Sequence, residues 1–205
     1  MKVTDEMILS GEKDSGRLLD NLCNIIRISM NSIIIVDLQK DFYDPKGSLY
    51  VKGAETFPAK IAKLVPQYDN VFLTLDWHPL NHCSFRQNGG PWPVHCLKYS
   101  WGASLPDEVL GAIDITRQNV FYYHKGERSY EEEYAAFRAI TDNQLKALRD
   151  SEMIDICGLC GDYCVGLTIK RLVELGLKEK LHVMKECVGS IDDGTVLEGI
   201  IREIG

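Results

Sequence analysis

The chain has 205 residues, 45% of them hydrophobic, and a formal net charge of -7. That length accommodates one sizeable core and a single main domain. Its acidic balance and scattered Lys and Arg exclude general nucleic-acid binding and a polybasic membrane patch, both of which need clustered cations; no apolar run approaches the ~20 residues that span a bilayer.

Residues 1–31 read as an N-terminal extension. Met1–Gly16 is mostly polar and lacks the apolar core of a secretory signal, and residues 17–30 place Leu18, Leu19, Leu22, Ile25 and Ile26 at helical spacing. Met30 offers an alternative start. Seven cysteines, an odd number, without an export signal point to free thiols in a reducing, cytoplasmic setting.

Residues 32–205 read as one α/β domain. The β-branched run Ser32–Asp37 predicts a strand buried on both faces. A turn at Asp44-Pro45-Lys46-Gly47 follows, then a helix over Phe57–Tyr68 with Pro58 in its first turn. Val71–Leu75 is the second strand. Residues 76–106 form a Gly/Pro/Trp-rich connection of a length that points to function. Asn119–His124 is the third strand, and Ser129–Ala139 and Asp142–Asp150 are expected helices, the latter capped by Thr141. Met153–Cys157, a helix over Asp162–Leu175 ended by Gly176, Leu181–Lys185 and a helix over Gly194–Glu203 complete the pattern. Strands alternating with helices predict a three-layer α/β/α, Rossmann-like fold around a mostly parallel sheet of five to six strands. Little sequence remains for a strand after the last helix, so that sheet edge is expected to be short or completed by a neighbouring subunit of a homo-oligomer.

The residues with chemistry cluster at the carboxyl ends of these strands, where active sites of such sheets lie. Asp76 and His78 are two apart at a strand end and can aim at one point, and the loop can return His95 to it. One oxygen and two nitrogen donors make an open transition-metal site. Cys164 lies in the first turn of an expected helix, where backbone N–H groups favour a thiolate and can stabilise an oxyanion. Asp37 could take its proton and Lys125 could orient that carboxylate. Cys157 reads as a buried thiol, while Cys160 and Cys164 leave a structural zinc or redox pair open.

Four segments occur in a recognisable order: Asp37-Leu38-Gln39-Lys40-Asp41-Phe42; Asp76-Trp77-His78-Pro79 with Trp92-Pro93-Val94-His95-Cys96; Lys125-Gly126; and Gly158 through Val165, containing Asp162-Tyr163-Cys164-Val165. Over about residues 32–204 the chain resembles the nicotinamidase/pyrazinamidase family of the isochorismatase-like cysteine hydrolases. The resemblance implies a Cys164–Asp37–Lys125 triad and an oxyanion hole from the backbone N–H groups of Cys160 and Cys164, with a non-proline cis peptide before Cys160. It implies one divalent metal on Asp76, His78 and His95, zinc foremost and iron or manganese as alternatives, with His82 a candidate fourth ligand. Phe42 and Trp92 match residues flanking a nicotinamide ring; Tyr134 and Gln39 join the expected substrate-binding set. The implied activity is hydrolysis of nicotinamide, and of pyrazinamide, in NAD salvage. The alternatives are another amidase of the superfamily acting on an N-carbamoyl or ureido substrate, and a non-catalytic metal-binding protein. Cys160-Gly161 departs from the small residues or Ala-Thr of many members and adds an oxidisable thiol beside the nucleophile.

Overall fold

The computed structural model describes residues 30–204. The expected leader, and the expected helix at 17–30 apart from Met30, lie outside the described residues. Five strands, β1 (Asn31–Val36), β2 (Asn70–Asp76), β3 (Asn119–Lys125), β4 (Met153–Leu159) and β5 (Leu181–Gly189), form one sheet in the order β3-β2-β1-β4-β5. Every pairing is parallel, with Ile34 opposite both Phe72 and Ile156. β1 is therefore central, and its side chains alternate between two cores. Ile33 and Ile35 join one apolar cluster with Val71 and Leu73; Ile34 and Val36 join the other with Phe72 and Ile156. Each of these buried side chains contributes about 1.5–3 kcal/mol, and the double-sided burial explains why β1 is a continuous apolar run.

Helices cover both faces. Phe57 and Ile61 of α2 (Phe57–Leu64) and Val109 of α3 (Asp107–Gly111) pack on the first core; α1 (Lys40–Tyr43) is a single turn after β1. Leu148 of α4 (Asp142–Asp150), Ile169 and Leu172 of α5 (Gly166–Glu174), and Leu197 and Ile200 of α6 (Thr195–Ile204) pack on the second. α4 starts with a capping box: Thr141 Oγ1 accepts from the Gln144 N–H while Gln144 Oε1 accepts from the Thr141 N–H. Among the described residues no helix is long and apolar enough to cross a membrane.

Three expectations are corrected. The helix over Phe57–Tyr68 tightens into a 3₁₀ turn at Val65–Gln67, where Pro66 lacks the N–H that would continue it. Residues 129–139 form bends and turns instead of a helix. Their backbone bonds go elsewhere: the Ala136 N–H donates to Thr168 Oγ1 at 3.0 Å, Arg171 Nε donates to the Phe137 carbonyl at 3.2 Å, and Phe137 has φ 66°. The segment is thus pinned to α5, and its left-handed residue is incompatible with a helix. The helix expected from Asp162 opens as a π-turn, Gly161–Val165, before α5.

The chain runs outward from β1 to β2 and β3, then crosses to β4 and β5 on the other side. The order reverses between β1 and β4. Ligands of open parallel sheets bind outside the carboxyl ends of the strands at such a switch point. Asp37 and the Cys160–Cys164 turn flank this crevice.

Candidate active site

Lys125, the last residue of β3, is fully buried among acidic partners. Its Nζ lies 2.8 Å from Asp37 Oδ2 and 3.3 Å from Cys164 Sγ, and it also pairs with Asp76 Oδ1. Burial alone would lower its ammonium pKa, but the Asp37 and Asp76 carboxylates outweigh that and hold it well above the usual value. Asp37 follows β1 at φ 46°, and its Oδ1 accepts from Thr74 Oγ1 at 2.7 Å. Burial raises the Asp37 carboxyl, with Lys125 opposing the shift. The Cys164 thiol is likewise pushed up by burial and drawn down by Lys125. A carboxyl oxygen of Asp37, one of Asp76 and Cys164 Sγ lie within 4.8 Å of one another, so thiol and carboxylates are gathered around the one Lys125 ammonium.

The turn that carries Cys164 begins at a cis Leu159–Cys160 peptide. The Cys160 carbonyl accepts from the Tyr163 and Val165 N–H groups at 3.1 and 2.9 Å, which fixes the turn that presents Cys164 to the crevice.

Beside Asp37, Lys125 and Cys164, donor atoms of Asp76, His78 and His95 also lie within 4.8 Å of one another. Asp76 Oδ2 is 3.5 Å from His78 Nε2 and 3.8 Å from His95 Nε2. Each imidazole Nδ1 faces a carbonyl, Gly126 O at 2.9 Å for His78 and Pro93 O at 2.8 Å for His95. A carbonyl only accepts, so Nδ1 carries a proton, and in the neutral imidazole Nε2 offers its lone pair on the side of Asp76. Two oriented imidazoles and a carboxylate fit a divalent transition metal. Gly126 has φ 65°, and a Cβ there would lie 2.3 Å from His78 Cε1; the Gly after Lys125 lets His78 reach its carbonyl.

His82 does not join these donors. Its Nδ1 bonds Ser84 Oγ at 2.7 Å and its Nε2 bonds the Glu131 carbonyl at 3.0 Å, while its ring lies over His78. Burial, and then His78, lower its pKa to about 4. With both nitrogens taken it braces His78. A second donor group instead joins His78, His82 and Glu132. Glu132 escaped the sequence reading because it sat in an acidic run assigned to a helix; its approach to His78 is tertiary.

A small cavity opens beside Cys164, lined by Phe42, Trp92, His95 and Tyr134, with Cys160, Tyr163 and Ile191 at its other walls. Trp92 Nε1 donates to Tyr134 Oη at 3.0 Å, and Tyr163 meets the edge of Trp92 at 5.2 Å between centroids. Tyr163 is a second residue to which the sequence assigns no role, though it stands in the Asp162-Tyr163-Cys164-Val165 segment beside Cys164. Gln39, expected at the substrate, is fully buried outside the cavity wall, and its amide bonds the main chain of Asp76 and Ala103. A wider groove along β5 carries none of this chemistry.

Comparison with known proteins agrees with this arrangement. The Isochorismatase domain family model matches residues 31–201. A nicotinamidase of Saccharomyces cerevisiae is 31% identical over 183 residues, covering 73% of this chain and 84% of that protein. A yeast nicotinamidase bound to the inhibitor nicotinaldehyde superposes with a TM-score of 0.72 at 27% identity, over 85% of this chain and 95% of the other. A pyrazinamidase of Pyrococcus horikoshii in complex with zinc gives a TM-score of 0.68 at 29% identity, over 85% and 93%. With its family match spanning the whole sheet and both halves of the site, the chain belongs to the isochorismatase family.

Proposed function

We propose that the protein is a nicotinamidase, hydrolysing nicotinamide to nicotinate and ammonia in cytoplasmic NAD salvage, with pyrazinamide as a second substrate. The observation that carries this reading is the junction at Lys125, where a thiol, a buried base and an Asp/His/His donor set share one crevice. The relatives named as nicotinamidases and the zinc-bound pyrazinamidase support it.

Asp76, His78 and His95 would hold a divalent metal, zinc by preference, which would supply Lewis acidity suited to a pyridine nitrogen. Phe42, Trp92 and Tyr134 enclose the ring, so that its carboxamide meets Cys164 in a reactive orientation. Asp37 accepts the thiol proton as sulfur attacks the carbonyl carbon, and Lys125 stabilises the developing thiolate. The backbone N–H groups of Cys160 and Cys164 receive the oxyanion. Asp37 returns its proton to the departing nitrogen, releasing ammonia and leaving a thioester. It then takes a proton from water, whose oxygen cleaves the thioester to nicotinate, and restores the thiol.

The test is ammonia release from nicotinamide and pyrazinamide by protein of measured metal content. Metal-loaded wild type is expected to release ammonia and nicotinate in equal amounts, whereas Cys164→Ala retains metal and loses turnover. No release from either amide by metal-loaded protein would defeat the assignment in favour of an N-carbamoyl amidase or a non-catalytic protein. Substantial turnover by Cys164→Ala would defeat the covalent route alone.

A further inference from the structure

His78 and His95 stand seventeen positions apart in a connection with little regular structure, yet their Nε2 atoms face the same carboxylate oxygen. Something must hold Asp76 and the two histidine-bearing segments in register. The bonds that do so for Asp76 and His95 converge on the turn after β1. Gln39 is fully buried, and its amide closes a ring on the main chain of Asp76: Oε1 accepts from the Asp76 N–H at 2.8 Å, and Nε2 donates to the Asp76 carbonyl at 2.8 Å. The same Nε2 donates to Ala103 O at 3.0 Å. Gripped on both sides, the Asp76 backbone sets its carboxylate with Oδ1 toward Lys125 and Oδ2 toward the histidines.

Two residues further on, Asp41 holds the other segment. Its Oδ2 accepts from the Cys96 N–H at 2.7 Å, directly after His95, and its Oδ1 accepts from the Ser48 N–H at 3.1 Å. Cys96 has φ 44°, an uncommon conformation for this residue type, and the charge-assisted bond helps to hold it there. The loop also closes tightly on Asp41. A Cβ at Gly102 would lie 1.9 Å from Asp41 Oδ2, while the Asp41 N–H donates to Gly102 O at 2.9 Å and the Lys40 N–H to Ser104 O at 3.0 Å.

We propose that Gln39 and Asp41 are positioning residues for the metal centre, a clamp on the same turn as Asp37 that sets Asp76 and His95 at ligating distance. The clamp rests on the reading of Asp76, His78 and His95 as ligands. It ties the metal half of the site to the nucleophile half: one short turn carries the base and grips both ligand segments.

The test measures the affinity of purified full-length protein for Zn²⁺ alone, by competition with a chromophoric chelator, and the thermal midpoint of each metal-free variant. Gln39→Met keeps the volume and removes all three amide bonds; it is expected to weaken zinc about 10–100-fold, as loss of outer-sphere support commonly does. Asp41→Asn keeps one acceptor oxygen for the Cys96 N–H and is expected to lose less. Thr141→Ala, which weakens α4 far from the turn, is expected to lower the midpoint while leaving zinc affinity unchanged, separating positioning from general destabilisation. Wild-type zinc affinity in folded Gln39→Met, with loss in His78→Ala, overturns the clamp alone. If Gln39→Met does not fold, unchanged affinity in Asp41→Ala, which removes the acceptors for both the Cys96 and Ser48 N–H groups, overturns it. Unchanged affinity in His78→Ala overturns the metal reading and the clamp with it.

Discussion

Asp37 carries the main proton-transfer burden of the proposed reaction, and its surroundings define when it can act. Burial raises its carboxyl pKa, and the Lys125 ammonium only partly offsets this. The carboxylate must be ionised to accept the thiol proton, so activity is lost as pH falls through the raised pKa. The acid limb of kcat/KM should accordingly lie above the ~3.9 of an exposed aspartate. Lys125→Met removes the opposing charge and should move that limb further up, with a lower rate at neutrality. A profile of kcat/KM against pH, at saturating zinc so that ligand protonation is held apart, checks both. An acid limb at the ordinary aspartate value would contradict the buried-base account.

At the scale of elements, α4 offers a clean measure of local design. Thr141 and Gln144 satisfy each other's backbone N–H groups at its start. Thr141→Ala should cost about 1 kcal/mol, which for a chain of this size lowers the melting midpoint by about 2–4 °C in calorimetry; activity per folded molecule should not change. This cap was legible because its chemistry is local in sequence. So was β1, whose run of β-branched residues reports burial on both faces. Residues 129–139 were not legible as turns, because Thr168 and Arg171 supply partners that no local pattern shows. The site divides the same way. Asp37, Asp76, His78, Lys125 and Cys164 announce themselves by strand ends and motif order, whereas the approach of Glu132 to His78 and the bonds of Gln39 exist only after the loops close. His82 follows the same rule: spacing can suggest a donor, but only the fold shows that its nitrogens face Ser84 and Glu131 and that it stands with His78 and Glu132 instead of with Asp76 and His95.

For the whole molecule, the order of the sheet makes the site a joint between distant parts of the chain. Asp37 follows β1, Asp76 ends β2, Lys125 ends β3 and Cys164 lies in the turn after β4, while His95 returns from the loop. A metal bound to Asp76, His78 and His95 therefore ties the long 77–106 connection to the β2 end of the sheet, and local opening of that connection must break the ligand set. An ion that binds only the folded state stabilises it by RT ln(1 + [L]/Kd), about 2.7 kcal/mol at a hundredfold excess over Kd. For a chain of this size that corresponds to a rise of about 5–10 °C in the midpoint. Chelator-treated protein should melt lower by that interval, recover on titration with zinc, and expose the 77–106 connection to faster amide exchange before global unfolding. His78→Ala should show none of the zinc-dependent rise. An equal rise in His78→Ala would mean that zinc acts elsewhere on the molecule, and the Asp/His/His set would lose its role in holding the site together.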